Sequence, residues 1–175
     1  MQFHVLRELR QSIGSVNEYD LAEDRVVVDD DVLRDLTGTA RFLRTDRGLL
    51  VTVHADTKLE TECSRCAAEV QAPMDIEFEE EYVPTVDPET GTRVYVSEED
   101  EAFRIDPQFW LDLREGLRQY ILLNEPAKPL CREDCAGLCP NCGADLNQSP
   151  CQCQPTGDER WSVLTGLKNE IDEGE

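Results

Sequence analysis

The chain has 175 residues, and 38 Asp or Glu stand against 17 Lys or Arg, a formal charge of −21. That balance excludes a protein that coats nucleic acid by charge alone and argues against an anionic membrane surface. No stretch approaches the roughly 20 apolar residues of a membrane span, and the start from Met1 to Glu8 lacks the apolar run of a signal peptide. A cytoplasmic protein with reduced thiols is expected.

Residues 2–24 read as a short strand or helix followed by a polar loop. Val26 to Val28 reads as a short strand running into a turn at Asp29-Asp30-Asp31, and Gly38 to Thr45 as a second strand before an Asp46-Arg47-Gly48 turn. From Leu49 to Cys63 the odd positions are mostly apolar and the even ones polar. From Cys66 to Tyr82 the even positions are mostly apolar and the odd ones mostly charged. Both are period-two patterns of half-buried strands. A two-residue turn at Ser64-Arg65 would pair Leu59 with Val70, Ala55 with Met74, Val53 with Ile76, Val51 with Phe78 and Cys63 with Cys66. That register puts both apolar sets on one face. Pro73 cannot donate to a ladder, so the second strand is an edge there, or bulged.

Residues 84–102 read as an acidic loop. Asp106-Pro107 reads as the start of a helix, with Asp106 as N-cap and an apolar stripe of Phe109, Trp110, Leu113, Leu117, Tyr120 and Ile121. Pro126 and Pro129 end it. The remainder is rich in cysteines and turns, and a short helix is expected from about Asp158, with Trp161, Leu164 and Leu167 on one side.

Eight cysteines carry the clearest chemistry. They fall into pairs: Cys63-x2-Cys66, Cys131-x3-Cys135, Cys139-Pro-Asn-Cys142-Gly and Cys151-x-Cys153. In a reducing compartment such pairs point to metal or redox work rather than disulfides. Each short pair can fill two corners of a zinc tetrahedron, so two structural zinc ions are expected. Cys139, Cys142, Cys151 and Cys153 form one natural set. Cys63 and Cys66 with Cys131 and Cys135 form the other, a helical turn being able to bring the last two to one face. Joining them closes the 64 residues between Cys66 and Cys131, at about 3–4 kcal/mol of chain entropy, against about 10–16 kcal/mol for bound zinc. Two alternatives stay open. Cys63 and Cys66 could be small apolar residues at the end of a sheet face, or Cys131 and Cys135 could pair with Cys139 and Cys142. A thiol oxidoreductase reading of Cys63-Ser-Arg-Cys66 is weak, because the motif lies between two strands instead of at a helix N-terminus.

Nothing in the sequence points to catalysis. His4 and His54 read as solvent-facing, and no phosphate loop, nucleophile elbow or zinc-protease motif is present. No small-molecule substrate is expected.

The run from Cys131 through Gly-Leu-Cys139-Pro-Asn-Cys142-Gly-Ala-Asp-Leu-Asn147 to Cys151-x-Cys153, with Cys63-Ser-Arg-Cys66 ahead of it and Arg160-Trp161-x-x-Leu164 behind, resembles the YceD family of bacterial and plastid proteins. The resemblance covers about residues 2 to 168. It implies a non-enzymatic role in ribosome biogenesis, in the accumulation or processing of large-subunit (23S) ribosomal RNA. The implied partners are that RNA or its precursor, basic ribosomal proteins or assembly factors. The resemblance does not assign RNA contacts. Arg65, Arg132, Arg160 and Lys168 lie at or near the cysteines, with Trp161 as a candidate stacking platform. The expected architecture is α+β, with residues 1–126 forming a sheet-plus-helix domain and 127–175 a zinc-bound lobe. The sheet is antiparallel, in one version closing into a small barrel. The alternative function is a redox-switched zinc chaperone or thiol sensor.

Overall fold

The structure is a computed structural model describing residues 1–95, 97 and 101–153. Two compact units divide the chain, Met1–Cys131 and Arg132–Glu175. The first contains β1 (Gln2–His4), α1 (Leu6–Leu9), β2 (Val16–Val28), β3 (Asp31–Arg44), β4 (Leu49–Glu62), β5 (Glu69–Pro84), β6 (Phe103–Ile105), β7 (Trp110–Asp112) and α2 (Arg114–Asn124). A five-stranded sheet runs in the order β2-β3-β4-β5-β6, and β1 pairs with β7 in a separate ribbon. The α+β expectation holds, with strands dominating, and the sheet is antiparallel except where β6 pairs with β5 in parallel. The barrel closure does not: β2 and the three-residue β6 end an open sheet, and among the described residues they do not pair. The apolar face is covered instead by side chains of other elements, including Leu9 of α1, Leu111 of β7 and Leu117 and Ile121 of α2.

The alternation on β4 and β5 is realised. Leu49, Val51, Val53, Ala55 and Leu59 are buried with Ala72, Met74, Ile76, Phe78 and Tyr82. The register differs from the expected one by two residues. Leu59 meets Ala72, Ala55 meets Ile76 and Val53 meets Phe78. A two-residue shift keeps every side chain on its face, because the period is two. Its cause is a wider turn. Cys63 N–H donates to Ala68 O (2.8 Å) and Ala67 N–H to Cys63 O (2.9 Å), so Cys63 faces Ala68 rather than Cys66. Pro73 pairs with Lys58 on β4. On its other side β5 meets β6 only from Tyr82 to Pro84, so Pro73 lies on an edge among the described residues.

The expected polar loop ending at residue 24 is instead mostly β2. Among its 13 residues only Leu21, Val26 and Val28 are buried, because it is an edge strand whose outward side chains stay polar. The Asp29 turn is where the sequence puts it, with Asp29 at φ 52°, a conformation Asp tolerates better than most residues. β3 is longer than expected and carries an irregularity between Arg34 and Thr37. The extra residue shifts the parity of the strand, so Leu33 and Leu36, three apart, are both fully buried. At Gly38 a Cβ would lie 2.1 Å from His54 O, so only glycine lets β3 and β4 approach there.

The helix starts at Arg114, not at Pro107. Asp106 caps a turn, its Oδ1 accepting the N–H groups of Gln108 and Trp110 (both 2.8 Å). Phe109 then takes φ 64°, and the chain forms β7 against β1 before the helix begins. Phe109 and Trp110 therefore lie outside α2. Leu117 and Ile121 do face the core. Tyr120 stacks on Phe78 with ring centroids 4.9 Å apart and donates to Glu80 Oε1 (2.9 Å). α2 ends at Asn124, just before Pro126.

Candidate metal centres

The eight cysteines form two groups of four. In each, the sulfur atoms lie within 4.8 Å of one another: Cys63, Cys66, Cys131 and Cys135 in one, Cys139, Cys142, Cys151 and Cys153 in the other. None is in a disulfide. The alternative pairing of Cys131 and Cys135 with Cys139 and Cys142 is not what the fold forms.

The same hydrogen-bond pattern builds both Cys-x-x-Cys loops. At the first, Cys63 N–H bonds to Ala68 O and Ala67 N–H to Cys63 O. At the second, Cys139 N–H bonds to Ala144 O (2.8 Å) and Gly143 N–H to Cys139 O (2.9 Å). The residue after the second cysteine is left-handed in both, Ala67 at φ 56° and Gly143 at φ 72°. Glycine takes that conformation at no steric cost, whereas alanine pays about 1–2 kcal/mol. Each loop aims backbone N–H groups at its first sulfur. The N–H of Arg65, that of Cys131 from the adjoining segment, and that of Cys66 pull the Cys63 thiol down to about 6. Those of Cys142 and Asn141 lower Cys139 to about 6 as well.

Ser64 N–H donates to Pro129 O (2.8 Å), holding the first loop beside the segment leading into Cys131. The sulfurs of Cys66 and Cys131 are 3.7 Å apart. A tetrahedral ion with Zn–S near 2.3 Å sets its sulfurs about 3.8 Å apart, whereas a disulfide needs about 2.05 Å. Cys131 and Cys135 reach their places through a turn, Cys135 N–H to Arg132 O (3.1 Å), and not through a helix.

The second group also has the electrostatics of a cation site. With no positive charge present, the Cys153 thiol, hydrogen-bonded to Cys142, is pushed up to about 12, and Cys151, bonded to Cys139, is raised too. Gathered thiolates repel one another, and a divalent ion reverses that sign. The donor set and spacing therefore fit a metal ion in each group.

Of the cations singled out in the sequence, Arg65 lies exposed on the first loop. Arg132 is held by Asn147 Oδ1 (2.7 Å) and Asp134 (3.3 Å). Arg160, Trp161, Lys168 and the helix expected near Asp158 fall outside the described residues. His54 is exposed, 3.6 Å from Glu77, and His4 packs edge-on to Trp110. The sequence reading missed Asn147, which reaches Cys135 Sγ at 3.5 Å.

The model of the family described as "Large ribosomal RNA subunit accumulation protein YceD" matches residues 51–168. The chain belongs to the YceD family. The YceD match begins on β4 and takes in all eight cysteines. An uncharacterized protein of Mycobacterium tuberculosis H37Rv is 31% identical over 142 residues, covering 81% of this chain and 65% of that protein. A Mycobacterium leprae protein is 27% identical over 107 residues, 61% of this chain and 47% of its own length. The chloroplastic large ribosomal RNA subunit accumulation protein YCED homolog 1 of Zea mays is 36% identical over 58 residues, 33% of this chain and 20% of that protein. The chain thus spans just under two thirds of the Mycobacterium tuberculosis relative. No solved structure matches it significantly. Among the described residues no helix is long and apolar enough to cross a membrane.

Proposed function

We infer that this protein is a non-enzymatic cytoplasmic factor of ribosome biogenesis that supports accumulation and processing of the large-subunit (23S) ribosomal RNA. The observation that carries this reading is the YceD match across residues 51–168. Zinc is the metal we assign to both cysteine groups. Four soft sulfur donors suit it, and a closed four-thiolate site leaves no position for a reactive water, so its role is to hold the fold.

The direct partner in this reading is a basic ribosomal protein or assembly factor, with the RNA protected indirectly. The net charge of −21 opposes RNA. On the outward face of β4 and β5, Glu62 stands opposite Glu69 and Asp56 opposite Asp75. Directly opposed like charges weaken a sheet, so their presence supports a cationic partner. A hollow of about 610 Å³ at that end of the sheet is lined by Asp30, Glu60, Glu62 and Glu69 with Val32 and Val70.

Crosslinking in the host followed by capture, with and without nuclease, tests the reading. Ribosomal proteins or assembly factors retained after nuclease are expected. Direct crosslinks to large-subunit RNA would overturn the protein-first version and direct mutagenesis to Arg65. Recovery of neither would overturn the ribosomal reading.

A further inference from the structure

Asn147 is not a metal-ligand type at this site, yet its amide is fully used. Oδ1 accepts from Nη2 of Arg132 (2.7 Å) and from the N–H of Ala136 (2.8 Å). Nδ2 donates to Asp145 Oδ1 (2.8 Å) and to Cys135 Sγ (3.5 Å). Both N–H bonds and both lone pairs are satisfied, which fixes the amide plane. Arg132 and Ala136 bracket the turn that presents Cys135, so one side chain grips that turn on both flanks and touches the sulfur itself.

The position of Asn147 is set by the other cysteine group. Its own N–H donates to Asp145 Oδ1 (2.9 Å). Asp145 pairs with Leu138 in an isolated bridge, directly before Cys139. Leu146 N–H bonds to Gly137 O (2.9 Å), and Cys139 N–H to Ala144 O. The segment carrying Asn147 is therefore the far side of the loop that closes around Cys139 and Cys142.

We propose that Asn147 is a positioning residue for the Cys63/Cys66/Cys131/Cys135 centre, and that it makes the two centres cooperative. Metal at Cys139, Cys142, Cys151 and Cys153 orders the loop. The ordered loop places Asn147. Asn147 then holds the Cys135 turn and donates an N–H to its thiolate, so the first centre binds more tightly once the second is filled. Partners that orient a ligand in this way typically change metal affinity by about 10- to 100-fold. The inference rests on the metal reading above.

The test uses the full chain with Zn(II) or Co(II) alone. Asn147→Asp keeps both acceptor contacts and removes both Nδ2 donations, to Cys135 and to Asp145. In chelator competition it should release the first of two zinc ions at least about tenfold more readily than wild type, and the other ion by a smaller factor, since coupling is reciprocal. In the cobalt form the thiolate-to-metal band should move to longer wavelength, because Cys135 loses a hydrogen bond that draws off charge. Cys142→Ser should weaken the first centre by a similar factor. In that background Asn147→Asp should add less than about twofold, since the loop that places Asn147 is already lost. Release and spectrum unchanged by Asn147→Asp, or two substitutions that act independently, would overturn the proposal. Wild type that takes up two ions while Asn147→Asp behaves identically sinks this inference alone. Wild type that takes up none sinks the metal reading with it.

Discussion

Stripping the metal with a strong chelator will unfold the stretch from Arg132 to Cys153 and leave the five-stranded sheet folded. The reason lies in what that stretch buries. Its only buried apolar side chains are Cys135 and Cys139, 2% and 5% exposed, and Leu138 is 41% exposed. A segment without a hydrophobic core cannot offset the entropy of ordering its backbone. Structural zinc supplies about 10–16 kcal/mol in small domains of this kind, and there metal binding and folding are one event. The sheet is different, because its core joins six of the seven strands and both helices through buried residues from Val5 to Ile121, with Phe3 of β1 packed against it. Limited proteolysis should show cleavage between residues 132 and 153 rising on the order of 100-fold after chelation, while residues 16–84 stay protected. Cys139→Ser should reproduce the effect without chelator. Equal resistance of that stretch in both forms would show that something other than metal holds it.

Phe42→Ala will cost the sheet about 3–5 kcal/mol. Phe42 is fully buried on β3. Its ring lies 5.2 Å from that of Phe3 on β1 and 5.0 Å from that of Tyr19 on β2, and Phe3 and Tyr19 are 5.3 Å apart. The cluster joins the edge of the large sheet to the small ribbon, so truncation leaves a cavity that two elements would have to move to fill. Urea unfolding followed at the sheet should show the midpoint fall with an unchanged slope. His54→Ala, on the exposed face of β4, should change stability by less than about 0.5 kcal/mol. A Phe42→Ala loss below about 1 kcal/mol would mean that the aromatic cluster is not part of the cooperative core.

The long hairpin was legible because its two strands bury one face each over many residues, and that pattern survives a two-residue shift in register. The shift itself was not legible. A tight two-residue turn satisfies the apolar pattern equally well, and only the need to aim backbone N–H groups at Cys63 widens the loop. β2 was hidden by its edge position, which leaves polar residues such as Glu18, Asp20 and Asp24 in a regular strand. The parity change near Asp35 hid the length of β3. Asp106-Pro107 gave a true capping signal, but for a turn, and the strand of three residues after it is too short to carry a period. The cysteine groups were legible as pairs from spacing alone. Which pair joined which was decided by the fold, through the placing of Cys66 beside Cys131. The role of Asn147 was not legible, because an Asn near a turn has many local uses, and only the fold brings its amide to Arg132, Ala136 and Cys135 together.

The most direct test of the account is the metal content of the 175-residue chain purified under reducing conditions, by native mass spectrometry alongside a thiol count. The account predicts two zinc ions per chain, with all eight cysteines reduced and shielded from alkylation until the metal is removed. A metal-free chain with eight readily alkylated thiols, or with cysteines joined as disulfides, would contradict it.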